Sequence, residues 1–418
     1  MEVIFLSINI LFYVFFFKKH LTSKGFDVVC FLTLIYIVIA TMGLLLYLNP
    51  KSSGLYTISL LPQLLLFFVF LLTIRPINNC ATITRGTIIH PSSFVFTSFI
   101  VFIAAISLLR FPGLLANISQ NLMSIIYDSS YLSDTYVDLH NRGASGFSTG
   151  SFNVVAILGG MIDSVAIFFL MYYLSRVDKK LWVIVVLIVA AVLAPLGALV
   201  QARRGTMVFS ILNFIAFYLL FRKCYSSKLR KLVQRVLLVI ISFIAIGVAL
   251  ITISRFTKSS MDDDYAVYSI ILYLGQPMLN LDLAVMDPGG CRWGDRTIPL
   301  FKSFFVDGAY SYDERIIKYS YMNLGEEVFS TYFGEIVLDF GVILSILFLI
   351  VWMFWMYKMG PEKKQNFPFY QLLPIVMLIN ILVGGWTQSP FSDIGGNLHF
   401  IFILLLYIYF KQPSRRML

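Results

Sequence analysis

The stretch LWVIVVLIVAAVLAPLGALV, residues 181–200, decides the fold class because it contains twenty residues without a charged side chain. At about 1.5 Å of rise per residue, a helix of this length covers the ~30 Å hydrocarbon core of a bilayer. The whole chain has the same character: 59% of its 418 residues are hydrophobic and 13% are charged. This composition excludes a soluble globular protein and predicts an all-α, polytopic membrane protein.

Apolar segments of similar length recur along the chain. They lie near 3–17, 27–48, 56–74, 92–109, 154–175, 181–200, 206–221, 236–254, 332–357, 369–386 and 398–410. They predict about eleven transmembrane helices in a single integral membrane domain over 1–418. The first segment is expected to be a retained helix, because no basic region precedes it and no small-residue cleavage site precedes Lys18 and Lys19.

Lysine and arginine counts in alternate connections predict the orientation, because cytoplasmic connections have an excess of both. Twenty of the 32 basic residues lie in one set, near 18–24, 75–85, 176–180, 222–235, 358–364 and 411–416. The other twelve lie in a longer set that includes two large segments, 110–153 and 255–331. The N-terminus and both large loops are therefore predicted outside, and the C-terminus inside. The formal charge of +10 is interpreted as an orientation signal and not as a nucleic-acid surface.

The first large loop begins with LLANISQNLMSIIY, 114–127, whose apolar residues recur every three or four positions. This spacing is typical of an amphipathic helix, lying either on the membrane surface or against the helix bundle. The following Gly- and Ser-rich stretch, 138–153, predicts an irregular loop.

Paired arginines at an outer helix end are the first candidate site. Arg203, Arg204 and Gly205 lie between two apolar segments, just before the helix expected to begin near Thr206. Guanidinium groups beside a helix N-terminus can hold a phosphate or diphosphate, although arginines at this depth also contact lipid headgroups. Arg255 ends the next outward segment and is predicted to join them or to act as an interfacial anchor.

The acidic run at 262–264 follows Arg255 and superficially resembles a Mg²⁺ cluster. A run of charge is usually a solvated face, so no metal site is predicted. The four cysteines, Cys30, Cys80, Cys224 and Cys291, have no regular spacing and indicate neither disulfides nor zinc.

The second large loop combines charged and aromatic residues. Arg292 and Arg296 lie there, interleaved with Trp293 and seven Phe or Tyr residues between 301 and 321. Aromatic rings stack on sugar faces, and charged groups bond hydroxyls, so the composition is compatible with a carbohydrate groove or with any small exterior domain.

Carboxylates cluster where this loop meets the next apolar segment. Glu326, Glu327, Glu335 and Asp339 are candidate acids or bases, and the last two are four residues apart on one helix face. Intramembrane acids are functional candidates, although a structural pair with a neighbouring arginine is an equal alternative. Asp163 lies in the middle of another apolar segment, and a buried structural hydrogen bond is expected for it.

The last two apolar segments meet in a turn that contains Gly384, Gly385, Gly395 and Gly396. Such backbone is tolerated at membrane depth only where it is buried or lines a cavity. The turn, with His399 just after it, is therefore a candidate wall of the same site.

The arrangement resembles the Wzy-type O-antigen polymerases, which join oligosaccharide repeat units of bacterial surface polysaccharides. The resemblance depends on many spans with two large exterior loops, on Arg203-Arg204-Gly205, and on the Ser330-Thr331-Tyr332 to Asp339-Phe340-Gly341 stretch. It covers most of the chain loosely.

The resemblance implies a GT-C-like fold in the bacterial inner membrane and a metal-independent glycosyltransferase without cofactor. Its substrate would be a growing glycan on undecaprenyl diphosphate, transferred to a new lipid-linked repeat unit at the periplasmic face. Arg203, Arg204 and Arg255 would hold the diphosphate, and a glutamate would be the base. A chain-length regulator and a flippase of the same pathway would be partners, and nucleic acid would not.

Three alternatives remain at this stage. A lipid-linked oligosaccharide flippase or transporter could use the same intramembrane charges, although the long exterior loop argues against it. An O-antigen ligase would share the donor, but the loop histidine expected of ligases is absent from 255–331. A transferase using a polyprenyl-phosphate sugar is disfavoured, because the first exterior connection, 49–55, contains no acid.

Overall fold

The computed structural model describes residues 1–80, 83–84, 86–127, 152–201, 203–258, 263–362 and 366–411. For residues 117, 119–127, 152–153, 253–258 and 263–266 it describes the backbone and not the side chains. Part of the predicted irregular loop at 138–153 and Asp262 lie outside these ranges.

Fourteen α-helices account for most of the described chain. They are α1 (Glu2–Lys24), α2 (Val28–Leu48), α3 (Leu60–Cys80), α4 (Ser93–Tyr127), α5 (Phe152–Ser175), α6 (Leu181–Val200), α7 (Arg204–Phe221), α8 (Ser227–Lys258), α9 (Asp263–Met286), α10 (Pro299–Lys302), α11 (Tyr312–Lys318), α12 (Thr331–Met359), α13 (Leu372–Gly384) and α14 (Asp393–Lys411). Two short strands, β1 (Ile88–Ile89) and β2 (Phe367–Pro368), pair in parallel.

Within the described ranges, eleven helices are long and apolar enough to cross a membrane, as expected for a multi-pass membrane protein. Ten of the eleven predicted segments coincide with such helices, and two of them, 154–175 and 181–200, match to the residue. The predicted segment 369–386 instead contains α13, whose thirteen residues are all buried. A helix of this length rises about 20 Å, less than the hydrocarbon core.

Helix α9 is the difference from the sequence prediction, which placed all of 255–331 in an exterior loop. Its residues 267–286 meet the length and apolarity of a membrane span. The hydroxyls of Tyr268 and Ser52 lie 3.2 Å apart, and the backbone N–H of Ser59 donates to Asp282 at 2.6 Å. Both contacts reach the connection between α2 and α3, so α9 lies against this connection.

The chain forms two compact units, while the single integral membrane domain expected from the sequence stays a prediction. Unit 1 comprises 1–82, 263–365 and 371–407, and unit 2 comprises 83–262, 366–370 and 408–418. Periodicity identifies each helix but does not reveal which helices group together, so this division was not predictable.

Unit 2 contains an ion pair between two of its helices. Arg110 of α4 donates two hydrogen bonds to Asp163 of α5, at 2.7 and 2.9 Å. The guanidinium lies over Gly159, where a Cβ would be 2.5 Å from Arg110 Nε. This arrangement provides the structural partner that the sequence predicted for Asp163. Helix α4 also continues to Tyr127, so the stretch 114–127 is helical as predicted.

In unit 1, α12 is broken at Gly341, which has φ 73° and ψ 169°. Without a Cβ, glycine adopts this left-handed conformation at little cost. The Ser345 hydroxyl donates to the carbonyls of Ile336 and Gly341, at 2.9 and 2.6 Å, and so satisfies backbone groups near the break. Residues 331–339, which precede the break, are all buried. The break therefore separates an enclosed half-helix, which contains Glu335 and Asp339, from the remainder of the span.

Candidate functional site

Arg292 is the centre of a buried ion cluster in unit 1. Its guanidinium forms ion pairs with Glu326, with Glu335 Oε2 at 3.1 Å and with Asp339 Oδ1 at 2.7 Å. It also donates to the Glu335 carbonyl at 3.0 Å, and its backbone N–H donates to the Leu338 carbonyl at 2.9 Å. The same-face spacing of Glu335 and Asp339 is thereby confirmed, because one guanidinium reaches both.

Two further arginines complete the cluster. Arg296 pairs with Glu335 at 3.0 Å and with Glu326 at 3.3 Å. Arg315 pairs with the same Glu326 oxygen at 2.9 Å. We use the term ion cluster for three arginines and three carboxylates, all at most 8% exposed: Arg292, Arg296, Arg315, Glu326, Glu335 and Asp339. Their formal charges sum to zero, which reduces the cost of burying them.

The electrostatics of the ion cluster favour the charged forms of its loop residues. Burial alone would raise the pKa of Glu326, but attraction from Arg292, Arg296 and Arg315 lowers it to about 2. Burial opposes the charged form of Arg292 too, yet the three carboxylates around it raise its pKa above the ordinary value. Both groups are therefore ionised at neutral pH.

A second polar centre fixes the loop next to the ion cluster. The fully buried carboxylate of Asp295 accepts from Lys302 at 2.5 Å, Lys318 at 2.9 Å and Tyr319 at 2.5 Å. Burial would raise the pKa of Asp295, but these donors lower it to about 2. The Tyr319 hydroxyl also lies 3.0 Å from the Arg292 carbonyl, so the two centres are joined.

Backbone strain is concentrated around the ion cluster. Among the described residues, the non-glycine residues with positive φ are Trp293 at 54°, Thr331 at 69° and Asp393 at 62°. Each of the three is next to a residue of the ion cluster, bonded to one, or next to a residue that is bonded to one. Trp293 follows Arg292 in the chain, and Asp393 accepts a hydrogen bond from Arg315 at 2.7 Å. Thr331 follows Ser330, whose hydroxyl donates to Glu335 at 3.3 Å. Such conformations cost about 1–3 kcal/mol each and occur preferentially at functional sites.

The glycine-containing turn between α13 and α14 lines the ion cluster. Arg296 donates to Gln388 at 3.0 Å, and the backbone N–H of Asp393 donates to the Arg296 carbonyl at 2.8 Å. The N-terminus of α12 also donates to this turn, from Tyr332 to Gly385 at 2.7 Å. A Cβ on Gly385 would lie 2.8 Å from the Tyr332 ring, so this approach requires glycine.

Asp393, which pairs with Arg315, and Trp293, which follows Arg292 in the chain, are exposed residues next to the ion cluster. The Asp393 side chain is 48% exposed, whereas the side chains of Glu335 and Asp339 are fully buried. Trp293 is 66% exposed. An exposed carboxylate is thus paired with an otherwise buried charge network.

The predicted site residues fall into three groups. The structure brings together Arg292, Arg296, Glu326, Glu335 and Asp339. Glu327 is exposed next to them in the chain, and His399 is half-buried in α14. Their predicted roles stay predictions.

The remaining predicted residues belong to unit 2. Arg203 is exposed and immediately precedes α7, while Arg204 and Gly205 are half-buried in its first turn. Arg255 lies in α8, but its side chain is outside the described part of the structure. The diphosphate role of these residues also stays a prediction.

Arg315 and Asp393 are the members of this network that the sequence did not identify as site residues. They are 78 positions apart and meet only through the fold. One signal in the sequence could have pointed to them. Arginines and acids are concentrated between 292 and 339, although only 13% of the residues of the chain are charged.

None of the comparisons with protein-family models, curated proteins and solved structures finds a match to this chain.

Proposed function

We propose that the protein is a membrane glycosyltransferase that polymerises lipid-linked oligosaccharide repeat units. In this proposal the growing glycan moves from undecaprenyl diphosphate to a new repeat unit at the periplasmic face of the bacterial inner membrane. The observation that carries the proposal is the strained, buried ion cluster at the start of a broken membrane helix, with one carboxylate accessible at its edge.

Glycosyl transfer requires a base that takes the proton of the acceptor hydroxyl as the new bond forms. General bases contribute about 10²–10⁴-fold to such reactions and must reach the proton directly or through one water. Asp393 is better placed for this role than Glu326, Glu335 and Asp339, because its carboxylate is half exposed and theirs are enclosed. The ion cluster then positions Asp393 through Arg315, and Trp293 offers a ring against which a sugar can stack.

The leaving group of this reaction is a lipid diphosphate, whose charge must be stabilised as the glycosidic bond breaks. Arg203 and Arg204, which belong to unit 2, stay the residues that the sequence predicts for this role. Arginine binds phosphate through two parallel hydrogen bonds that lysine cannot reproduce. Arg203→Lys is therefore expected to lose activity although it preserves the charge.

A transporter of lipid-linked oligosaccharides is the second candidate. The break in α12 favours it, because discontinuous membrane helices are frequent at transporter binding sites. The bidentate pairing of Asp163 with Arg110 removes one of the charges that had suggested a translocation path.

Deletion of the gene in its own host, with gel analysis of the surface polysaccharide, separates these functions. We expect the deletion to leave core with a single repeat unit, and wild type to restore the ladder. Core with no repeat unit would favour a transporter or ligase. An unchanged ladder would contradict both the polymerase and the transporter proposals.

Asp393→Asn is the informative variant in the same host. Asparagine tolerates the left-handed backbone of position 393 but cannot accept a proton, so loss of the ladder would not result from strain. Asp313→Asn is the control, because Asp313 is an exposed acid in α11, two residues before Arg315.

A further inference from the structure

A second cluster of potential ligands lies at the connection between α1 and α2, separate from the ion cluster. His20, Asp27 and Cys30 are all buried, and their donor atoms lie within 4.8 Å of one another. Imidazole nitrogen, carboxylate oxygen and sulfur come from two helices and the turn between them. We propose that these side chains bind one zinc ion, which joins α1 to α2.

The donor set fits zinc better than the other common divalent ions. Zinc accepts nitrogen, oxygen and sulfur ligands in a tetrahedral arrangement, whereas Mg²⁺ and Ca²⁺ prefer oxygen. Asp27 and a Cys30 thiolate together supply two negative charges, and His20 binds as the neutral imidazole. The site would therefore be electrically neutral with zinc bound, as a buried position requires.

The geometry is close to that of a site with three protein ligands. In a tetrahedral zinc site, nitrogen and oxygen ligands lie about 3.3 Å apart, and sulfur about 3.6 Å from either. His20 Nε2 lies 2.9 Å from Asp27 Oδ2 and 3.1 Å from Oδ1. The Cys30 sulfur lies at most 4.8 Å from the other two donor atoms. A shift of about 1 Å, by rotation about the single Cα–Cβ bond of Cys30, would bring it to the distance expected in a zinc site. The fourth position is left for a small ligand such as water.

The surrounding bonds already orient the carboxylate. Asp27 Oδ1 accepts from the backbone N–H groups of Val29 and Cys30, at 2.9 and 3.1 Å, and so caps α2. Oδ2 is then directed at His20. Hydrogen bonds that orient a ligating carboxylate in this way are typical of metal sites. Binding would release the thiol proton of Cys30 to solvent, because the thiolate is the ligand.

The test measures zinc on the full-length protein, purified in detergent through a tag without histidines. After incubation with zinc chloride and removal of the excess, mass spectrometry of the metal gives the stoichiometry. We expect one zinc per wild-type chain and almost none in His20→Asn and Cys30→Ser. Cys80→Ser is the control, because Cys80 is also a buried cysteine and should not alter zinc content.

Substitution of zinc by Co²⁺ tests the ligands without any variant. The wild-type protein should show the near-ultraviolet charge-transfer band of a cobalt–thiolate bond, and the visible bands of tetrahedral cobalt. A wild-type chain without zinc, equal zinc in wild type and Cys30→Ser, or a cobalt spectrum without the thiolate band would each overturn the proposal. His20 and Asp27 would then form only a hydrogen-bonded pair.

Discussion

Replacement of Arg292 by methionine should be the most destabilising single change in the ion cluster. Of its three carboxylate partners, Glu326 would retain Arg315 at 2.9 Å, and Glu335 would retain Arg296 at 3.0 Å. Asp339 would retain the Thr297 backbone N–H at 2.5 Å but would lose the guanidinium at 2.7 Å. One fully buried carboxylate would thus lose its cation.

The magnitude follows from that lost pairing. Removing one partner of a buried ion pair costs about 3–5 kcal/mol, because the remaining charge is left without compensation. Arg296→Met leaves Glu326 and Glu335 each paired with Arg292, so its cost should be only about 1–3 kcal/mol, the range for lost hydrogen bonds to buried groups. Adding Asp339→Asn to Arg292→Met should recover part of the stability, because it removes the unpaired charge.

The free energy of unfolding can be measured by SDS titration in mixed micelles, with the four proteins compared at one pH. We expect Arg292→Met to be clearly less stable than Arg296→Met, and the double variant to be more stable than Arg292→Met. Equal losses for the two arginines, or no recovery in the double variant, would refute the view that Arg292 neutralises Asp339.

Three other predictions concern pH and close helix packing. The pKa of Glu326 is about 2 in the folded protein against an ordinary 4.5. The stability that ionised Glu326 contributes should therefore be complete above pH ~4.5 and lost as the pH falls towards 2. As the pH is lowered, the free energy of unfolding should fall by roughly 3 kcal/mol more in wild type than in Glu326→Gln. Parallel curves of unfolding free energy against pH would contradict the pairing of Glu326 with the arginines. Gly275→Ala should cost about 1–3 kcal/mol, because its Cβ would lie 2.5 Å from a backbone carbonyl of α2; thermal unfolding measures the loss. Gly159→Ala should displace the Arg110 guanidinium and also lower the unfolding temperature, whereas Gly395→Ala, with open space around it, is the control for both.

The sequence predicted most of the membrane helices because their apolar composition is a local property. Residues 181–200 are long and apolar enough to span a membrane whatever their neighbours are. Helix α9 was missed because Gln276, Asn280 and Asp282 interrupt its apolar pattern. The fold compensates for these residues: Asp282 accepts hydrogen bonds from Ser59 and Gln63, at 2.6 and 2.8 Å.

The candidate site was predictable only where its residues are close in sequence. Glu335 and Asp339 share a face by helical periodicity, and both are in the ion cluster. The contacts of Arg315 with Glu326 and Asp393 depend on how the loop and the last turn fold together. The proposed zinc ligands show the same limit, because His20 and Cys30 have no recognised spacing and meet only when α1 and α2 pack together.

The most direct test of the central claim is reconstitution of the purified protein with undecaprenyl-diphosphate-linked repeat units and no other protein. Products are released by mild acid and separated by length. The proposal predicts glycans of two or more repeat units with wild type and with Asp313→Asn, and single units with Asp393→Asn. Single units with correctly folded wild-type protein would contradict the assignment as a polymerase.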